Sequence, residues 1–518
     1  MSKKSTQKFP IRKIIAVLAL AGVLWYVRPW FHGFVMMFYT NPIIIEIFLI
    51  WLAIHKLLFN STIVVGKWGW DGGKKTINKL SMVSRERSEE IGIDTKSLLS
   101  FSLLIVLLVV GMSFAVIMPK IHVANEIEYN KITKLPETKR NIRLMPYEVA
   151  YRYSKDSLQL SQFKLGTGNI ALIGENRTLS WMFPLIPDGL VLQFILKNKG
   201  IVVVDATTQE KNSRMVWRDL KIGEGMQITD NLYWNIYKKK YWIDVDDPYY
   251  IVHNNDVYTV VSAISYSFHN WMGLLYTVPR FEGVFLIKSN GEIKFLTPEE
   301  AAKNEILYGN RIFPEKLARF YVESYALKKG VINYFFIHED QIDIQDISTR
   351  NKQPFLMDTE DGLKWFISTE PYGESHGIFK IFLVDAITGK IDMYELPENE
   401  TLTGPIKARD FVRRSNPTVD WTRFIMVEPL PFITNDTLYW KIVVIPSDAA
   451  GIAYQAFVNS RTNEVTELED EDEIRQFLQF GRIRTEERIA TDLTEKENVI
   501  REIKKRLAEI EELLKKLE

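Results

Sequence analysis

The sequence predicts an α+β protein with N-terminal transmembrane helices, tandem repeats of an antiparallel sheet plus a helix, and a C-terminal coiled-coil helix. Three observations predict this. Apolar runs dominate the first 118 residues, one strand-turn-strand phrase recurs four times further on, and the composition changes after Gly481 to Glu, Lys, Arg, Leu and Ile. The 518 residues are 46% hydrophobic and include no cysteine, which excludes disordered, disulfide-stapled and thiolate-metal classes. At about 100–200 residues per domain, two to four domains are expected. The 65 basic and 65 acidic side chains cancel only on average: residues 1–97 hold 14 against 6, leaving 51 against 59.

The first apolar run, Ile14 to Val27, follows Lys3, Lys4, Lys8, Arg12 and Lys13, as in a signal peptide or a short membrane helix. No small-x-small cleavage site follows, and a second run, Pro42 to Phe59, comes soon after. An uncleaved helical hairpin over residues 1–59 is therefore expected. The third run, Leu98 to Met118, has 21 residues without a charge, matching the roughly 20 that cross about 30 Å of hydrocarbon. The loop of residues 60–97 carries Lys67, Lys74, Lys75, Lys79, Arg85, Arg87 and Lys96. Basic loops and tails remain cytoplasmic, so three crossings over 1–59 and 98–118 place residues 119–518 outside a multi-pass cell-membrane protein. Its expected partner is a bilayer with anionic headgroups.

Glu46 lies inside PIIIEIFLIW. A carboxylate there reads either as functional or as one turn from the boundary, reaching headgroups or pairing with His55 or Lys56. Trp68 and Trp70 read as an interfacial aromatic segment. GWDGGKKT lacks the G-x4-G-K-[ST] spacing of a phosphate loop.

Beyond the membrane, Val384-Asp385-Ala386-Ile387-Thr388-Gly389-Lys390-Ile391 aligns without gaps on Val458-Asn459-Ser460-Arg461-Thr462-Asn463-Glu464-Val465. Asp or Asn accepts turn hydrogen bonds, and Gly or Asn tolerates positive φ. Ile287 to Ile293 and Val204 to Gln209 are shorter versions. Upstream of each, an Asp is expected to open a long strand: Asp188, Asp256, Asp361 and Asp436. These four read as turn residues or as a repeated carboxylate surface. The expected regions are 119–240, 241–340, 341–415 and 416–484, with covering helices at Thr297 to Glu300, Pro314 to Lys329 and Pro405 to Arg414.

Val384, Asp385, Ala386, Thr388, Gly389 and Ile391 resemble the commonest phrase of PepSY domains and the wider cystatin-like rolls. That resemblance implies a non-catalytic extracytoplasmic module that regulates proteases or makes protein contacts. Asp244-Val245-Asp246-Asp247-Pro248-Tyr249-Tyr250-Ile251-Val252 with Val257 to Ala263 is similar to the D-x-D-P-Y-x-V-V phrase of an uncharacterised bacterial multipass membrane-protein family with a large outer domain. Chains of that family have more membrane segments, and Ser262 stands where they have Asp.

In residues 485–518, Leu493, Ile500, Leu507 and Leu514 fall at heptad spacing, with Ile503, Ile510 and Leu517 in the complementary set. Mixed Ile and Leu at the first set and Ile at the second favour a trimer or larger. The other reading is one amphipathic helix packed on its own domain.

The seven histidines show no metal-ligand spacing, and no nucleophile elbow, kinase set or dinucleotide fingerprint occurs. No cofactor, metal, catalytic residue or nucleic-acid partner is expected. Sequons at Asn176, Asn399 and Asn435 fall on the outer side. The expected function is a membrane-anchored extracytoplasmic scaffold or protein-binding module that self-assembles through its last helix. Two alternatives stand beside it: a PepSY-type regulator or inhibitor of an extracytoplasmic protease or another secreted protein, and a hydrolase built from scattered carboxylates.

Overall fold

A computed structural model describes residues 11–59, 95–138, 141–346, 352–373, 377–397, 400–482, 500–501 and 503–506. Helix α1 (Ile11–Val27) runs through a 3-10 turn at Arg28–Phe31 into α2 (His32–Thr40). Pro29 lacks an N–H and tightens that turn. After Asn41-Pro42 comes α3 (Ile43–Phe59), and then α4 (Thr95–Glu126).

Leu99–Glu126, whose most apolar 18-residue stretch has a mean hydropathy of 2.8, is long and apolar enough to cross a membrane. Val17–Thr40 and Ile43–Leu57 pass together, joined by a 68° bend. Among the described residues there is thus one such helix, or two if the bent pair is one span, where the sequence predicted three crossings. A 68° bend is not a reversal, so the expected hairpin of α1 with α3 is absent. The apolar pattern carries no direction, and α3 pairs antiparallel with α4 instead. Trp51 Nε1 donates to the Ser100 carbonyl at 2.9 Å, while at the other end a Cβ on Gly111 would meet Ile47 Cδ1 at 1.8 Å. Only glycine permits that approach. Helix α4 also continues past Pro119 into polar turns, where Lys120 pairs with Glu323 of the sheet-bearing domain.

Strand β1 (Tyr129–Ile132) is followed by four antiparallel meanders, each behind a helix. The first has α5 (Tyr147–Asp156), β2 (Phe163–Leu165), β3 (Asn169–Ile173), β4 (Thr178–Pro187), α6 (Leu192–Ile195), β5 (Asn198–Asp205) and β6 (Ser213–Leu220). The second has α7 (Leu232–Lys239), β7 (Asp244–Val245), β8 (Tyr249–His253), β9 (Asp256–Trp271), β10 (Leu274–Lys288) and β11 (Ile293–Leu296), and ends in α8 (Pro298–Lys303). A Thr297/Glu300 capping box starts α8.

The third has α9 (Glu315–Ser324), α10 (Gly330–Ile332), β12 (Ile342–Asp343), β13 (Phe355–Thr359), β14 (Gly362–Pro371), β15 (Gly377–Ile378), β16 (Lys380–Asp385), β17 (Ile391–Glu395) and β18 (Leu402–Thr403). Strand β1 adds to its edge, parallel to β17. The fourth has α11 (Pro405–Ser415), β19 (Phe424–Thr434), β20 (Thr437–Pro446), β21 (Tyr454–Asn459) and β22 (Val465–Leu468), followed by α12 (Glu471–Phe480).

Each of α5, α7, α9 and α11 packs its apolar face on the meander that follows it. Divisions at 240, 340 and 415 therefore separate α7, α9 and α11 from the sheets they cover. The aligned turns have one geometry. Asp385 Oδ1 accepts from Thr388 N at 2.7 Å, and Asn459 Oδ1 from Thr462 N at 3.1 Å. Gly389 and Asn463 have φ of 76° and 65°. Asp256, Asp361 and Asp436 open strands as expected, but Asp188 follows β4, because the matching turn is Gly174 to Arg177.

One backbone contact recurs in all four units. The residue after the turn Asp or its equivalent accepts from the chain ahead of the covering helix: Ala206 from Leu144 and Met145, Ser289 from Lys221, Ala386 from Ile312 and Phe313, and Ser460 from Thr403.

Candidate functional site

A cleft of about 520 Å³ opens where the four meanders meet. Two short segments, Arg143-Leu144-Met145-Pro146 and Arg311-Ile312-Phe313-Pro314, enter it just before α5 and α9. Proline at each N-cap fixes the entry but offers no side-chain acceptor for the first helical N–H groups. Both helices take a carboxylate from another meander. Glu428 Oε1 accepts from Tyr147 N at 2.8 Å, and Asp246 Oδ2 accepts from Glu315 N at 2.5 Å. A carboxylate also suits the positive end of a helix dipole.

The two arginines sit alike. Arg143 lies 5.2 Å from the ring centre of Trp181, and Arg311 lies 5.4 Å from that of Trp365. Each indole N–H donates to the residue before its proline, Met145 or Phe313. Arg143 Nε is 3.2 Å from Glu428, and Arg311 is 3.5 Å from Glu315 and donates to Asn169 at 3.2 Å. Glu428 reaches inward because β19 has a register shift between Val427 and Leu430, with φ of 46° at Glu428.

Burial sets the electrostatics. The Lys441 ammonium is enclosed, has no hydrogen-bond partner among the described residues, and is pushed down to about 7 by burial, with Glu428 opposing and Arg143 reinforcing the shift. Glu315 is wetted by the cleft yet ringed by protein, and this burial pushes its carboxyl up to about 7 against the pull of Arg311, with nearby Asp246 adding to the rise. The cleft offers aromatic faces and both signs of charge, which suits a polar peptide segment. Among the described residues no group of three His, Asp or Glu stands close enough to hold a metal ion.

A second junction ties the sheet-bearing domain to the apolar helices. Leu275 N donates to Glu46 Oε2 at 3.0 Å, and Thr277 Oγ1 donates to the Thr40 carbonyl at 2.6 Å. His32 stacks on Tyr237 at 3.4 Å, and Tyr39 lies 4.8 Å from Trp242. Lys120 pairs with Glu323 at 3.0 Å. Glu46 thus meets the longest hairpin rather than His55 or Lys56.

Asn176 and Asn435 are exposed in the β3-β4 and β19-β20 turns. Asn399 lies outside the described residues, as do Leu493, Leu507, Ile510, Leu514 and Leu517. Ile500 and Ile503 are helical and about half exposed. Asp188, Asp256 and Asp436 pair separately with Lys164, Arg218 and Lys134. The phrase around Asp246 and Asp247 borders the cleft, but the paired Arg-x-x-Pro segments went unseen in the sequence. Their signal was an Arg and a Pro three residues apart ahead of an apolar helical face, twice.

The chain matches no protein-family model, and no curated protein matches it significantly.

Proposed function

We propose that this chain is a non-enzymatic, membrane-anchored extracytoplasmic scaffold that binds protein. The observation that carries the reading is the Glu46–Leu275 junction, which ties the sheet-bearing domain to apolar helices. In this reading α3 and α4 cross as an antiparallel pair, with the basic loop 60–94 cytoplasmic and the meanders outside. The recurring backbone contact and shared turns support treating the meanders as four copies of one PepSY-like unit. The central cleft receives a partner segment, and the chain ending in Ile500, Ile503 and the heptad positions beyond them gathers copies into a trimer or larger.

Co-expression of tagged and untagged copies, followed by recovery in mild detergent, tests it. A scaffold recovers its untagged copy, and deletion of residues 485–518 lowers the particle mass. Recovery of a different chain alone favours the regulator reading, and an unchanged mass refutes assembly through the last helix.

A further inference from the structure

Two segments of the outer domain present apolar side chains outward beside the membrane helices. The first is Gly330 to Ile337, formed by α10 and the π turn Asn333–Ile337. Its orientation is inverted relative to a water-facing helix. The polar Asn333 is buried, bonded through both side-chain atoms to the backbone of Glu339, while Ile332 and Phe336 are 71% and 80% exposed. Soluble surfaces place polar groups outward, and the reverse is the pattern of a helix lying in a membrane interface. The segment begins two residues after Lys328, whose Nζ donates to the Ala124 carbonyl of α4 at 2.6 Å. It is therefore held at the end of the helix that is long and apolar enough to cross.

The second is the tip of the β9-β10 hairpin. Strands β7, β8 and β11 pair only with its base, so beyond Ile264 and Phe281 it is a two-stranded ribbon. Such a ribbon is marginal alone in water. Asn270 accepts from Gly273 N at 3.0 Å and closes a turn that projects Trp271 and Met272, the latter 86% exposed. Trp271 lies 6.1 Å from Phe114, inside the apolar run of α4, and Leu275 reaches Glu46. The tip is thus level with apolar helix surface that itself faces outward.

We propose that both segments insert into the outer leaflet as monotopic anchors, so that the outer domain lies down on the bilayer. The occupant of both apolar faces is the hydrocarbon edge of the lipid, because the hairpin tip lies against the apolar run of α4 and the 330–337 segment is held at the end of that same helix. Trp at such a boundary is favoured, with its ring apolar and its N–H wet. This rests on the membrane reading above and adds two contacts that no crossing helix makes.

The absence of cysteine supplies a clean background for the test. Single cysteines in the full chain at Phe336→Cys, Met272→Cys, Val106→Cys in α4, and Asn290→Cys at the opposite end of β10, are labelled with an environment-sensitive fluorophore. They are then reconstituted in vesicles containing anionic lipid. The expected result is blue-shifted emission and loss of iodide quenching at 336, 272 and 106, with full quenching at 290. Iodide access at 336 or 272 while 106 stays protected overturns the insertion and leaves the membrane reading standing. Iodide access at 106 overturns both.

Discussion

The backbone N–H of Leu275 donates to the carboxylate of Glu46 at 3.0 Å, so a carboxylate set within an apolar helix finds its partner in the longest hairpin of the sheet-bearing domain. A carboxylate among hydrocarbon is costly, and a charge-assisted hydrogen bond offsets part of that cost. The polar residue makes docking specific where apolar packing alone would permit sliding.

Glu46→Ala leaves the Leu275 N–H without its acceptor. The expected loss is about 1–3 kcal/mol of local stability. Hydrogen exchange at Leu275 in the solubilised chain should accelerate accordingly, with Glu46→Gln intermediate. Unchanged exchange would show that the bond contributes nothing.

Arg143 and Glu428 form a buried pair, side-chain exposure 13% and 4%. Removing one partner of such a pair strands the other and costs about 3–5 kcal/mol. Arg143→Met and Glu428→Gln, combined in a double-mutant cycle, should show coupling of about 0.5–3 kcal/mol. Simple additivity of the two losses argues against a shared network.

Lys441 links stability to pH. Its pKa falls from 10.5 unfolded to about 7 folded, so between those values the unfolded chain binds the extra proton and stability rises with pH. Glu315, raised from 4.5 to about 7, does the opposite and removes stability as pH rises from 4.5 to 7. Denaturant titrations from pH 7 to 10 should show an upward slope in the wild type that Lys441→Met abolishes. Met at this site should also be neutral or stabilising by up to about 4 kcal/mol at pH 7. A slope that survives the substitution places its origin elsewhere.

Gly389 combines φ of 76° with contact: a Cβ there would fall 2.2 Å from the Phe313 ring, next to Pro314 and the cleft. Gly389→Ala should cost at least about 1–3 kcal/mol in thermal unfolding. Asn463→Gly, at the matching turn with φ of 65°, meets no clash and should lose only the hydrogen bond that Asn463 accepts from Thr403 Oγ1, about 0.5–1.5 kcal/mol. Equal effects would mean that the Phe313 contact does not matter.

The turns were legible because they are written in local chemistry. Asp385, Thr388 and Gly389 each serve a bond or a dihedral within a few residues, and the aligned Asn459, Thr462 and Asn463 repeat it. Helix α9 was readable from its spacing after Pro314, whereas the apolar faces of α5, of equal length, and of the shorter α7 are interrupted by polar residues. The cleft was hidden for a different reason. Arg143 and Arg311 are paired by tertiary contacts to Trp181 and Trp365, and the loops between differ in length, so no fixed period connects the copies. The direction of α1 against α3 was equally hidden, since an apolar run is the same read up or down the membrane.

The sidedness of loop 60–94 relative to the meanders tests the central claim most directly. Lys79→Cys and Asn290→Cys, each in the otherwise cysteine-free chain, are exposed to a membrane-impermeant maleimide on intact cells. Labelling at 290 at once, and at 79 only after permeabilisation, is the predicted result. Labelling of both positions in intact cells, or of neither, contradicts a membrane-anchored extracytoplasmic domain.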